Sequence, residues 1–377
     1  SEDSFSLATA YGLFHWGISA WSIYGIPTIA LSIAFYKYKL SSLRLSSSLT
    51  GLGLKNIETS YFGRSIDLIF ILATVGAAGG TIGSYIPMLS SAFSKLTNIN
   101  NGLGLDLSII FLCVTLFGFS VYKGLDKGIK TLSNVNLSLA LIFLLLILLS
   151  ADFVDIFNSS LSSIKFSLIY FWDMSTLGVN GKSDFAKEWT IFYWAWWVAF
   201  GPLVGLFIAR ISKGRTIKEV ILGMLFFGTL GTWLFYLILG GYSMNGEISG
   251  QLQVLDSMRQ NGHADTVIGI INSLPFSFLM LLIFFVITIV FITTSYDSMS
   301  YVISYHVLKK DGNNKGPHKN LRLMWAIILG ILPASLVLYS DHSVALDLIL
   351  ITSLPLMLVY PLMAISIIKE LKNYEKT

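Results

Sequence analysis

The chain of 377 residues is poor in charge, cysteine and histidine. Only 12% of its residues are charged and 54% are hydrophobic, whereas a soluble domain carries roughly 25% charged residues. So little polar surface cannot clothe that much apolar side chain, and a water-soluble fold is excluded. The single cysteine, Cys113, excludes an internal disulfide and a cysteine metal cluster. His15, His263, His306, His318 and His342 are scattered without the paired spacing of a zinc site. Neither a GxxxxGK[ST] phosphate loop nor a GxSxG nucleophile elbow occurs. No enzyme chemistry is therefore expected, and a net charge of +4 gives no reason to expect a nucleic-acid partner.

Long apolar runs are what the sequence has in abundance. Crossing a bilayer takes roughly 20 apolar residues at about 1.5 Å each. Nine such spans are expected, at 8–36, 62–92, 105–122, 133–151, 189–209, 220–241, 274–306, 321–340 and 345–368. Barrel strands would alternate apolar and polar residues, but Leu139 to Leu149 is apolar throughout, so the spans are helices that satisfy their own backbone groups. Spans recur along the whole length, and 1–377 reads as a single transmembrane domain. The longest hydrophilic connections are 152–188 and 242–273, and 157–171 has the Ser and aromatic mixture of an interfacial helix.

Charge orients the bundle, because Lys and Arg in short loops favour the cytoplasmic side. With alternate loops on opposite sides, 20 of the 25 basic residues fall on one side, in 37–64, 123–130, 210–218, 309–322 and 369–376. The other side keeps Lys95, Lys165, Lys182, Lys187 and Arg259. The C-terminus is thus expected in the cytoplasm of a multi-pass inner (plasma) membrane protein. The N-terminus is expected outside, which implies an odd number of upstream spans.

Aromatics concentrate in FHWGISAWSIY (14–24) and WTIFYWAWWVAF (189–200). At about 100° per residue, Trp16, Tyr24 and Trp21 fall at roughly 0°, 80° and 140° on their helix, and Trp194 and Trp197 share a face of theirs. Aromatic faces hold a quaternary ammonium, which keeps its charge and offers no N–H donor; the competing reading is an interfacial aromatic belt. Gly201–Pro202 is expected to kink or break the second of these helices, as a midplane substrate site needs. The glycines of 76–83 are expected to serve close packing. In FITTSYDS (291–298), Thr294 and Ser295 offer hydroxyl oxygens to Na⁺, and Asp297 is an intramembrane carboxylate.

These segments resemble the betaine/choline/carnitine transporter family. The strongest match is EWTIFYWAWWVAFGPLVGLFIARISKGRTIKE (188–219), with 14–24, YKGLDKGIKTLSNVNL (122–137) and TTSYDSMSY (293–301) similar in kind and order. The resemblance implies an all-α, LeuT-like inverted-repeat bundle. The nine spans would be the fourth to twelfth of twelve, with about 1–152 the remainder of the first repeat and 186–370 the second. The glycine-rich third span of the family, which helps line its sites, precedes these nine. It further implies a substrate box of Trp16, Trp21, Tyr24, Trp194, Trp196 and Trp197, with Phe200 where the family has another Trp. A sodium position would use Phe291, Thr294 and Ser295. A second would use Thr74, but the partner threonine one turn on is Ala78 here. Sodium-independent exchangers of the family carry an Arg in the span at 62–92, and 65–94 has neither Lys nor Arg. The implied function is Na⁺-coupled uptake of an onium or zwitterionic solute by a homotrimer without cofactor. The alternatives are a Na⁺-independent exchanger, a proton-coupled member using Asp297, and a non-transporting amine sensor.

Overall fold

In the computed structural model the described residues are 2–40, 44–54, 56–123, 126–176, 183–307, 317–339 and 342–374, and their regular structure is helical. The chain runs through α1 (Glu2–Trp16), α2 (Ile18–Ser32), α3 (Tyr61–Thr97), α4 (Leu103–Lys123), α5 (Asp126–Ser150) and α6 (Phe153–Ile169). It continues with α7 (Ile191–Ile211), then α8, the span Ile217–Ile248, which carries π turns at Met224–Gly228 and Tyr236–Gly240. There follow α9 (Val254–Asn272), α10 (Ser277–Val307), α11 (Lys319–Tyr339), α12 (His342–Met357) and α13 (Val359–Tyr374). Among the described residues nine stretches are long and apolar enough to cross a membrane, and each overlaps one of the nine expected spans.

Small residues set how closely these helices approach, because apolar side chains gain nothing by leaving lipid for another apolar surface. The most extensive contact is α2 on α7. There a Cβ on Gly205 would lie 2.9 Å from Thr28 N and 3.0 Å from Pro27 C. Gly76 and Gly79 of α3 admit Thr352 of α12 and Leu332 of α11 with no room for a Cβ, so this stretch serves packing, as expected. The main core joins α2, α3, α4, α7 and α10 through residues such as Phe70, Ile82, Phe117, Ala199 and Tyr296.

The expected break at Gly201–Pro202 does not occur: α7 runs through both residues. Two other spans are interrupted instead: the ninth at Leu358, between α12 and α13, and the first at Gly17 (φ −101°, ψ −133°), between α1 and α2. A helix end leaves its last four carbonyls without intrahelical donors, which inside a membrane needs compensation. Here each of the four receives a side-chain donor. Trp233 Nε1 donates to Leu13 O at 2.9 Å, Ser19 Oγ to Phe14 O, Trp197 Nε1 to His15 O at 2.8 Å and Thr232 Oγ1 to Trp16 O at 2.6 Å. Pro202, by contrast, sits in a helix whose neighbours already hold it from several sides, among them Tyr360, whose hydroxyl donates to Val198 O at 3.3 Å.

At the end that carries the basic loops, residues 45–52 form a 3₁₀ turn locked to three helices. Asp67 of α3 accepts from Ser46 N at 2.9 Å and Ser46 Oγ at 3.0 Å. Leu45 N donates to His306 of α10 at 3.2 Å, and Ser366 of α13 accepts from Gly51 N and donates to Ser48 O, both at 3.0 Å. Ser47 donates to Glu58 at 2.6 Å. Asp67 is 5% exposed, so Asp67→Ala strands a buried N–H and is expected to cost about 3 kcal/mol. A fall in melting temperature in detergent, with Asp67→Asn in between, is the measurement that checks it.

Candidate solute and cation site

A cavity of about 930 Å³ opens among α1, α2, α3, α5, α7, α10 and α11. The helix break builds one wall of it: with its carbonyl held by Thr232, Trp16 ends α1 and its ring meets Trp197 of α7 edge to face at 4.6 Å and 78°. Tyr24, two turns into α2, stands at 84° to Trp197 with centroids 5.9 Å apart. Trp196 stacks beside Trp197 at 5.6 Å and 8°. Trp16, Tyr24, Trp196, Trp197 and Phe200 all line the cavity. Rings set at right angles present faces in different directions, the arrangement that can surround a cation lacking N–H donors.

Trp197 is fixed by its bond to His15 O, whereas the buried Trp196 Nε1 has no hydrogen-bond partner among the described residues. Tyr193, which the sequence did not single out, stacks on both indoles at 6.0 Å and on His15 at 4.7 Å. His15 is in turn 2.9 Å from Thr190 Oγ1. The tryptophans are thus backed by a second aromatic layer that holds their planes.

Phe291, Thr294 and Ser295 of α10 line the same cavity. Thr294 spends its proton on its own helix, donating to Val290 O at 2.9 Å, and its oxygen keeps lone pairs for a cation. Tyr296 also lines the cavity and ties α10 to α3, its hydroxyl donating to Ala78 O.

Three expected residues lie outside the cavity lining. Trp194 packs on Phe14 at 6.4 Å, in a small cluster with Tyr11 and Met174; helical spacing put it within 60° of Trp197, and that offset turns it to the other side of α1. Trp21 meets Tyr24 at 5.5 Å and 90°, but its indole covers Gly228 of α8, where a Cβ would collide with it. Thr74 is fully buried on α3, its hydroxyl without a hydrogen-bond partner among the described residues. The residues that sequence reasoning passed over, Thr232, Trp233 and Tyr193, act through backbone carbonyls and ring stacking, which leave no motif.

The family model of betaine/carnitine/choline family transporters matches residues 1–376. The chain belongs to that family. A carnitine transporter of Acinetobacter baumannii is 31% identical over 383 residues, an alignment spanning 100% of this chain and 69% of that protein. The glycine betaine transporter OpuD of Bacillus subtilis is 32% identical over 377 residues, covering 99% of this chain and 72% of that one. Among solved structures, a substrate-bound, outward-open Na⁺-coupled sialic acid symporter matches with a TM-score of 0.56 at 14% identity, over 97% of this chain and 77% of that chain. At that identity the likeness speaks for the fold alone. Members of the family are transporters, so this multi-pass membrane protein is a transporter of the betaine and carnitine type and no enzyme.

Proposed function

We propose that this family member takes up quaternary-ammonium or betaine-type solutes by Na⁺-coupled symport. Its nine spans act as the fourth to twelfth of a twelve-span inverted-repeat bundle, with about 1–152 in one half and 186–370 in the other. One observation carries the reading: the aromatic wall of Trp16, Tyr24, Trp196, Trp197 and Phe200 shares a single cavity with the Thr294 and Ser295 hydroxyls. An onium group and a hard cation can then be held side by side, each favouring the closed form that the other needs. The uneven distribution of basic loops supports a cytoplasmic C-terminus in an inner membrane, and the family supports a homotrimer.

Proton coupling through Asp297 is the weaker reading, because Arg322 Nη2 lies 3.5 Å from its Oδ1 and both residues are buried, so the carboxylate already has a structural partner. Exchange is disfavoured by the lack of Lys and Arg in 65–94. Each Na⁺ entering down a 100 mV potential contributes about 2.3 kcal/mol, enough to drive accumulation. Proteoliposomes are therefore expected to concentrate radiolabelled glycine betaine under an inward Na⁺ gradient and not under K⁺. Counterflow of preloaded solute without any net uptake would replace symport by exchange.

A further inference from the structure

Part of the same cavity is charged. Among the described residues, Lys130 of α5, Arg210 of α7 and Arg322 of α11 line it and Asp297 is the one carboxylate, so three positive charges there face one negative. Lys130 and Arg210 are exposed and reach water, where salt screens them. Arg322 is different: it is 9% exposed. A buried guanidinium needs acceptors for its five N–H groups, and Arg322 has few. Its Nη2 stands at ion-pair distance from Asp297, 3.5 Å, its plane covers the Tyr301 ring at 5.1 Å, and its Nε has no hydrogen-bond partner among the described residues.

The aromatic wall welcomes any trimethylammonium group alike, since ring faces respond to the cationic head and to nothing else on the solute. A planar guanidinium fork distinguishes what the head is attached to: it pairs bidentately with a carboxylate and repels a second cation. We propose that Arg322 is a specificity residue, which receives the carboxylate of a zwitterionic solute inside the cavity and so favours betaines over plain onium cations such as choline. This rests on the onium reading of the aromatic wall. The volume of about 930 Å³ exceeds that of one small solute, so a solute has more than one position in it, and Arg322 marks the one in the charged part.

Equilibrium binding of radiolabelled glycine betaine and of radiolabelled choline to the full chain in lipid nanodiscs tests it. Arg322→Lys keeps a charge beside Asp297 but loses the fork. Arg322→Gln combined with Asp297→Asn removes both charges, so that no buried carboxylate is stranded. The expected result is a glycine betaine Kd raised several-fold in the first and about tenfold in the second, with choline unchanged or tighter. Equal losses for both solutes would assign Arg322 a structural role, and an unchanged betaine Kd would remove it from recognition; either outcome overturns the proposal and leaves the onium reading standing. If the unaltered protein binds neither solute, the onium reading fails and this inference falls with it.

Discussion

Replacing Trp197 by leucine is expected to weaken solute binding roughly 30-fold. Trp197 gives the cavity a ring perpendicular to both Trp16 and Tyr24. A desolvated cation on such a face gains about 2 kcal/mol, so its loss alone weakens binding roughly 30-fold. The indole N–H also caps His15 O at 2.8 Å, and leucine leaves that carbonyl without its donor at the helix break, a further cost of about 1–3 kcal/mol that falls on stability. Trp197→Phe separates the two effects, because it keeps a ring and loses the donor. Leucine should weaken binding by that factor and lower the melting temperature, whereas phenylalanine should lower the melting temperature and keep most of the binding. Equal betaine affinity in Trp197→Leu and the unaltered protein would take the aromatic wall out of recognition.

The second large effect is expected at Gly17. A Cβ there would collide with Leu13 O and stand 2.5 Å from Trp233 Nε1, the atom that caps that carbonyl. Valine at this position must push the indole aside and uncap the end of α1, and overpacking with a lost buried hydrogen bond costs about 3 kcal/mol or more. Because Trp16 is the next residue back and Trp197 caps His15, the displaced helix end carries the cavity wall with it. Gly17→Val is expected to give little folded protein in fluorescence-detected size-exclusion runs and no betaine binding in what remains. Gly17→Ala should fold with a reduced melting temperature. A valine variant as stable as the parent would mean that the end of α1 and the Trp233 indole both have room to shift, and that the caps are dispensable.

The two helix breakers show what local sequence can and cannot tell. Gly201–Pro202 carries the stronger local signal, since proline removes a helix hydrogen bond, yet α7 continues through it. Gly17 carries a weaker one, and the helix breaks there because Trp233, Thr232 and Trp197, up to 220 residues away, supply donors to the freed carbonyls. Whether a backbone group can leave a helix inside a membrane depends on who replaces its partner, and that is a property of neighbours in space.

The sequence by itself determined the class. Nine apolar spans follow from hydropathy, because a bilayer admits only backbones that satisfy themselves, and among the described residues each overlaps a helix long and apolar enough to cross a membrane. The resemblance to the family put two aromatic segments beside a hydroxyl-bearing one, and Trp16, Tyr24, Trp196, Trp197, Phe200, Phe291, Thr294 and Ser295 line one cavity. Tertiary structure alone decided which aromatics face it. Trp194 and Trp197 differ by about 60° around α7, and that angle sends one to Phe14 and the other to the cavity, depending on where α1 ends and how α2 packs. It alone also set Arg322 beside Asp297, 25 residues back along the chain, because only the approach of α10 and α11 brings two charges from separate spans out of water and into one cavity wall.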